Sequence, residues 1–259
     1  MDESGIKHKM FQGSIFFWAK GEPGPRPWFR PCMWRRKARA RWCCCYMASQ
    51  SSGTGGGDIV ALMDDLEQPQ VFVVGHDWGA ILAWYLCMFR PDRVKALVNM
   101  SVPFIPRIAS IKPVQFLTAM YGDAYYICRF QEPGVAEAEI ERLGVETFLK
   151  KIFTYHKPEP FYISKEGTGS PNEKITLPYW ITEEEISYYA KSFEKTGFTG
   201  PLNYYRCLDL SWDLMAPWSG AEITVPTKFI IGDHDMTYHF PGIQMYINLH
   251  GMKMFVPGL

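Results

Sequence analysis

Val71-Phe72-Val73-Val74-Gly75-His76-Asp77-Trp78-Gly79-Ala80 decides how the rest of the chain is read. A β-branched and aromatic run ends at a glycine. A carboxylate stands two residues later, a second glycine two after that, and Ala80 opens an apolar, helix-forming segment. Small-x-nucleophile-x-small between a strand and a helix is a sharp elbow that presents its central side chain above the sheet. The glycines are needed because the turn is tight and the next stretch of backbone passes close by. The elbow lifts the Asp77 carboxylate over a cleft, and the helix N-terminus beneath it favours negative charge. Glycine and aspartate are also ordinary turn residues. The pentapeptide alone reads equally well as a plain turn, and the flanking strand and helix favour the elbow.

Outward from the elbow, 259 residues suffice for one large α/β domain or for a core with an inserted lid. With 47% hydrophobic residues the chain can build a packed core, and its formal net charge of zero argues against a nucleic-acid partner. No window approaches the ~20 apolar residues of a membrane span. Met1-Asp2-Glu3-Ser4-Gly5 has neither the basic nor the hydrophobic region of a secretory signal. Seven cysteines, three of them contiguous, do not resemble a disulfide framework. The expected setting is a reducing, cytoplasmic one.

In chain order, Gly5 to Phe11 and Ser14 to Ala19 read as two short strands of a hairpin around Gln12-Gly13, closed by a turn over Gly21–Pro25. Arg26 to Gly57 is different. It runs through Trp34-Arg35-Arg36-Lys37 and Trp42-Cys43-Cys44-Cys45 into a Ser/Gly/Thr-rich stretch. No period of 2 or 3.6 is visible, so residues 26–57 are expected to be irregular, with no strand. A nuclear-localisation patch or a cysteine cluster for metal or lipid are the functional readings of this stretch. Adjacent cysteines suit tetrahedral zinc poorly, because its sites space their ligands.

Asp58 reads as the N-cap of a helix over Ile59–Leu66. The Val71 strand, a helix over Ala80–Phe89 stopped by Pro91, and a strand over Ala96–Met100 form a right-handed βαβ crossover. Its continuously apolar strands predict burial on both faces of a parallel sheet. Candidate helices follow at Val114–Tyr121, Asp123–Phe130, Val135–Leu143, Glu146–Tyr155, Glu183–Glu194 and Leu202–Leu208. Thr182 with Glu185 makes a capping box for the fifth of these. Sheet-like sequence resumes at Lys228–Gly232, and Pro241–Leu249 reads as a last amphipathic helix. The expected organisation is an α/β fold: a first core part at 1–101, a helical lid at 102–217, and a second core part at 218–259.

From Asp58 to about His250 the chain resembles the soluble epoxide hydrolases of the plant type, which are lidded α/β-hydrolases. The residues that carry the resemblance are Val73–Ala80, Phe89-Arg90-Pro91-Asp92-Arg93-Val94, Tyr126-Ile127-Cys128-Arg129-Phe130-Gln131, Gly197-Phe198-Thr199-Gly200, Asn203-Tyr204-Tyr205-Arg206 and Gly232-Asp233-His234-Asp235. The hairpin from Gly5 to Pro25 resembles the family's opening strands more weakly. The resemblance implies that Asp77 opens a lipophilic epoxide through an alkyl-enzyme ester on the way to a vicinal diol. Tyr126 and Tyr205 would hydrogen-bond the epoxide oxygen from the lid, though tyrosines beside other tyrosines (Tyr125, Tyr204) are also ordinary core residues. Asp235 matches the family's acid, with Asp233 as the fallback. The Trp78 N–H would serve the oxyanion of the ester step. Neither a cofactor nor a metal is implied.

Two departures from the family pattern matter. The general-base histidine belongs a few dozen residues beyond the acid, and none of His8, His76, His156, His234, His239 or His250 occupies that place. The His-Gly-x-Pro loop, which lends a second oxyanion N–H, belongs where the basic and cysteine-rich stretch stands. The core is therefore expected to be incomplete, its exposed sheet edges favouring association into a homodimer. Loss of a triad histidine lowers turnover about a millionfold in a serine hydrolase. Asp77 is ionised at neutral pH and needs no base to attack. The expectation is a single trapped ester, with turnover absent or very slow. The alternatives are a haloalkane dehalogenase-like hydrolase, which also uses an elbow aspartate, and a catalytically inactive binding or scaffold fragment.

Overall fold

The computed structural model describes the backbone of residues 14–19, 41–46 and 56–58, and residues 59–155, 157–163, 169–170 and 173–259 in full. Five strands make one sheet: β1 (Ser14–Ala19), β2 (Arg41–Tyr46), β3 (Val71–His76), β4 (Val94–Met100) and β5 (Thr227–Ile230). Their order is β2-β1-β3-β4-β5. β3, β4 and β5 run parallel, while β1 is antiparallel to both β3 and β2. Helix α1 spans Gly56–Asp65, and α2 spans Trp78–Phe89 between β3 and β4. The crossover anticipated around the elbow is thus present.

Two local expectations change. The stretch 26–57 was expected to hold no strand, yet Arg41–Tyr46 pairs along β1 from Ser14↔Tyr46 to Ala19↔Arg41. A run without alternation carries no strand signature of its own, but an open edge recruits any segment whose residues tolerate extended backbone. Gly5–Phe11, the other expected partner of Ser14–Ala19, lies outside the described residues. Helix α1 begins at Gly56, so Asp58 lies within its first turn and does not cap it.

Burial on both faces does not hold among the described residues. Val71, Val73 and Leu97 are buried under α1 and α2 with Ile59, Met63, Leu86, Val225 and Val256. On the opposite face Phe72 is 37% exposed and Ile230 is 48% exposed. The described helices that meet the sheet share one core with one of its faces. The final residues run beside β5: Ile223 N–H donates to Phe255 O at 2.7 Å, and Thr227 N–H donates to Gly258 O at 3.1 Å.

Between β4 and β5 stands a helical block: α3 (Pro113–Tyr121), α4 (Tyr126–Arg129), α5 (Val135–Leu143), α6 (Val145–Thr154), α7 (Glu183–Thr196), α8 (Thr199–Arg206) and α9 (Leu208–Leu214). It has two apolar clusters of its own, one around Phe130, Ala136, Ile163 and Leu202, the other around Leu149, Ile181, Ile186 and Ala190. The Thr182–Glu185 capping box forms as read, with Glu185 N–H donating to Thr182 Oγ1 at 3.3 Å and Thr182 N–H to Glu185 Oε2 at 2.9 Å.

The helix expected over Asp123–Phe130 shrinks to one turn. Tyr125 is extended and bridged to Tyr162, and Tyr126 N–H donates to Phe161 O at 3.0 Å. This neighbouring segment takes the Tyr126 donor and also the Ala124 carbonyl, which accepts from Ile163 N–H at 2.8 Å, so the helix does not extend back through them. The helix expected over Leu202–Leu208 starts at Thr199 and stops at Arg206, and α9 follows after Cys207. Entry and exit of the block are laced together. Arg107 Nε donates to Trp212 O at 2.8 Å with its guanidinium 3.6 Å over the Trp212 ring, and Trp212 Nε1 donates to Ile108 O at 3.0 Å. Among the described residues no helix is long and apolar enough to cross a membrane. The last helix, α10, covers Ile243–Asn248.

Candidate active site

The site starts from the strain at Asp77. Its φ of 55° and ψ of −123° fall where a residue with a side chain rarely stays, at a cost of roughly 1–3 kcal/mol. The strain is imposed by what surrounds it. A Cβ on Gly75 would press on Asn99 Oδ1 and lie 2.7 Å from Gly79 O, so only glycine lets the end of β3 approach the start of α2. Asn99 is 0% exposed, sits opposite Gly75 on β4, and donates from Nδ2 to Ala80 O at 2.9 Å. The Asp77 carbonyl accepts from Ala80 N–H at 2.9 Å, while its side chain does not cap α2. The carboxylate therefore stands at the C-terminal end of a parallel strand without capping the helix that follows.

The aromatic side chains expected at the site converge there. The Trp78 ring lies 4.9 Å from the Tyr205 ring, edge to face, and 5.6 Å from Tyr204. Tyr205 in turn meets Tyr126 at 5.7 Å, again edge to face. Such contacts orient rings as well as bury them. Burial first, then the neighbouring Tyr205 and Tyr125 phenols and the Asp77 carboxylate, push the Tyr126 hydroxyl well above the usual phenol range. Tyr126 is thus a neutral donor near a carboxylate. Tyr125 is fully buried behind it, its hydroxyl also raised, chiefly by burial and next by the Tyr121 phenol.

Asp235 sits past the end of β5, two strands from β3. Its Oδ1 accepts from Thr237 N–H at 2.9 Å and Thr237 Oγ1 at 2.8 Å. Thr237 Oγ1 also contacts Ser101 O at 2.7 Å, tying this loop to the end of β4. Asp233, the fallback acid, is exposed, and its carbonyl meets His239 Nε2 at 2.7 Å. Among the described residues Thr237, and no histidine, is hydrogen-bonded to the Asp235 carboxylate.

Several residues of the site were not singled out from sequence. Asn99 and Thr237 support the elbow and the acid, and Gln131 and Arg206 link the tyrosine-bearing helices. Gln131 and Arg206 lie inside quoted motifs, but residue type gave no indication of what they touch. Gln131 Nε2 donates to Ile127 O at 2.9 Å and to Tyr205 O at 3.0 Å. Arg206 donates from Nε to Phe130 O at 2.9 Å and forks onto Glu137 at 2.9 and 2.8 Å. That guanidinium, foremost, draws the Glu137 carboxyl down to about 2 against the opposing effect of burial.

An elbow carboxylate at the C-terminal end of a parallel sheet, with helices packed on the sheet and a helical block inserted after β4, is the α/β-hydrolase fold. Residues 56–131 match the family described as alpha/beta hydrolase fold. Epoxide hydrolase 2 of Siraitia grosvenorii is 56% identical over 202 residues, which is 78% of this chain and 64% of that protein. Epoxide hydrolase A of Mycobacterium tuberculosis is 36% identical over 192 residues, 71% of this chain and 59% of that protein. Among solved structures, a mutant epoxide hydrolase of Vigna radiata superposes with a TM-score of 0.76 at 50% identity, covering 83% of this chain and 70% of the other. Potato epoxide hydrolase I superposes with a TM-score of 0.73 at 50% identity, covering 79% and 65%. The chain belongs to the epoxide hydrolase family of α/β-hydrolases. It spans 64% of the length of the Siraitia relative.

Proposed function

We propose that this chain opens a small lipophilic epoxide by attack of Asp77. The observation that carries the reading is the convergence of the strained Asp77 elbow with the Tyr126–Tyr205 pair, linked through the Trp78 ring. One carboxylate oxygen bonds to an epoxide carbon as that carbon's bond to the ring oxygen breaks. The electron pair stays on the epoxide oxygen, which takes a proton from a phenol held neutral by burial. The products are a hydroxyalkyl ester on Asp77 and a phenolate that regains its proton from water. The Trp78 N–H, in the first turn of α2 and so without an intrahelical acceptor, faces the ester stage.

Release of a vicinal diol requires water to attack the ester carbonyl and a base to take its proton. Asp235 is the acid in place to orient such a base, and the described histidines do not hydrogen-bond it. With no base supplied to Asp235 by the described histidines, this reading takes the ester as the end point, with turnover absent or very slow. The helical block acts as the lid, since both phenols come from it. The paired phenols of the block favour this reading over a dehalogenase, which needs tryptophan or asparagine donors for a halide ion. Trp78 supplies one such donor at most, and a halide-release assay separates the two. A cytoplasmic setting belongs to the same proposal and is supported by the free thiols of Cys87, Cys128 and Cys207.

The test is the intact mass of the folded chain after incubation with an aryl epoxide, beside an Asp77→Asn control and a diol assay. The expected result is one adduct on the parent, none on the control and no accumulating diol. Many diols per chain would overturn the trapped-ester reading. Neither adduct nor diol would show that the site does not react, leaving a binding or scaffold fragment.

A further inference from the structure

Two side chains connect the phenol-bearing helices in a reciprocal way. Gln131, just past α4, donates to the carbonyl of Tyr205 at 3.0 Å while its other bond holds Ile127 O of α4 at 2.9 Å. Arg206, next to Tyr205 at the end of α8, donates from Nε to the carbonyl of Phe130, next to Gln131, at 2.9 Å. Residue 131 thus holds residue 205, and residue 206 holds residue 130. Helix C-termini leave carbonyls without intrahelical donors, and these are the carbonyls the two side chains take. The clamp is closed from behind by Glu137 of α5, which accepts both ends of the Arg206 fork and Thr199 Oγ1 at 3.2 Å.

We infer that Gln131 and Arg206 are positioning residues that set the separation of the Tyr126 and Tyr205 hydroxyls. The clamp acts on the backbone at the tyrosines themselves: one bond is on the Tyr205 carbonyl, another on the residue after Tyr126. Around the tyrosines the block is also packed by apolar clusters, which fix volume but tolerate sliding. Hydrogen bonds at 2.9 and 3.0 Å from one planar amide do not tolerate it, because both distance and angle must be kept. Two donors share one epoxide oxygen only if their hydroxyls converge, and a displacement of about 1 Å costs roughly a hundredfold in rate.

The inference rests on the reading of Asp77 and the tyrosines as a reacting site, so its test has one arm that needs no reaction. In the first arm the full chain is labelled with fluorotyrosine, and the two fluorine NMR signals are assigned from Tyr126→Phe and Tyr205→Phe. Gln131→Met, which keeps the side-chain length but removes the donor, is expected to shift or split both signals while leaving the exposed Tyr179 signal in place. Both signals unmoved in a folded variant would overturn the clamp. The second arm measures the rate of adduct formation with an aryl epoxide. Gln131→Met is expected to slow it roughly 10- to 100-fold in the parent. In a Tyr205→Phe background the further loss should stay below about twofold, because convergence of two hydroxyls is already gone. Equal losses in both backgrounds would reduce Gln131 to a general structural role and overturn the inference. If the parent forms no adduct, the proposed function fails and the fluorine arm alone decides the clamp. Arg206→Met is expected to move the same two signals, and its failure to do so would remove Arg206 from the assignment.

Discussion

Asp77 occupies a left-handed backbone conformation that its own side chain disfavours, and Gly75 and Asn99 make that conformation obligatory. Gly75→Ala is expected to destabilise the fold by about 1–3 kcal/mol, because the added methyl meets the Gly79 carbonyl and Asn99 together. Asn99→Ala should cost about 1–2 kcal/mol by removing the buried donor to Ala80 O. Since Asn99 Oδ1 is one of the atoms that methyl would strike, the double variant should lose less than the sum of the singles. Denaturant unfolding of the four proteins gives the cycle, and strict additivity would contradict the packing described. At the same scale, Tyr126→Phe and Tyr205→Phe should each slow adduct formation on Asp77 about a hundredfold, the usual effect of removing one oxyanion donor. A loss below threefold in both would mean that the phenols pack without donating.

Between elements, the Glu137–Arg206 fork is the polar tie that holds α5, α8 and the end of α4 together. Glu137 has its folded carboxyl drawn down to about 2 from an ordinary value of 4.5. A depressed folded value stabilises at all pH above the unfolded one, and that contribution fades as pH falls from about 4.5 toward 2. Partly buried and bidentate, the pair is expected to contribute about 2 kcal/mol at neutral pH. The parent should therefore lose about 1 kcal/mol more than Glu137→Gln between pH 7 and pH 3, as read by urea unfolding, because the contribution is only partly gone at pH 3. Parallel pH profiles would contradict the role given to the fork. The capping box of α7 was legible because Thr182 and Glu185 are three residues apart. The fork was not, because its partners are 69 residues apart and nothing local marks Glu137 as different from Glu139 or Glu141.

Among the described residues one face of the sheet is buried under α1 and α2, while on the other Phe72 is 37% and Ile230 48% exposed. Exposed apolar side chains on a sheet face favour association. The purified chain is expected to self-associate in a concentration-dependent way, with a homodimer as the first species in sedimentation velocity. Phe72→Lys with Ile230→Lys should move that equilibrium toward monomer. A single monomeric species across a hundredfold range of concentration would overturn this expectation. The helical block is the other large-scale feature, and it meets the core through Trp78 against Tyr204 and Tyr205 and through Tyr121 beside Phe240.

The amino-acid sequence by itself determined the elbow, the βαβ unit around it, the main helices of the block and the epoxide hydrolase family. Each of these is written in short-range pattern: glycines two residues either side of Asp77, apolar periodicity, a capping box, and contiguous motifs. Tertiary structure alone decided the pairing of Arg41–Tyr46 with β1, the one-sided burial of the sheet, the break that separates α8 from α9, and the clamp between Gln131 and Arg206. The physical reason is separation along the chain. Gln131 and Tyr205 are 74 residues apart, and Arg206 and Phe130 are 76 apart. A backbone carbonyl offers the same acceptor whatever side chain stands beside it, so which distant amide or guanidinium takes it is settled only when the helices pack.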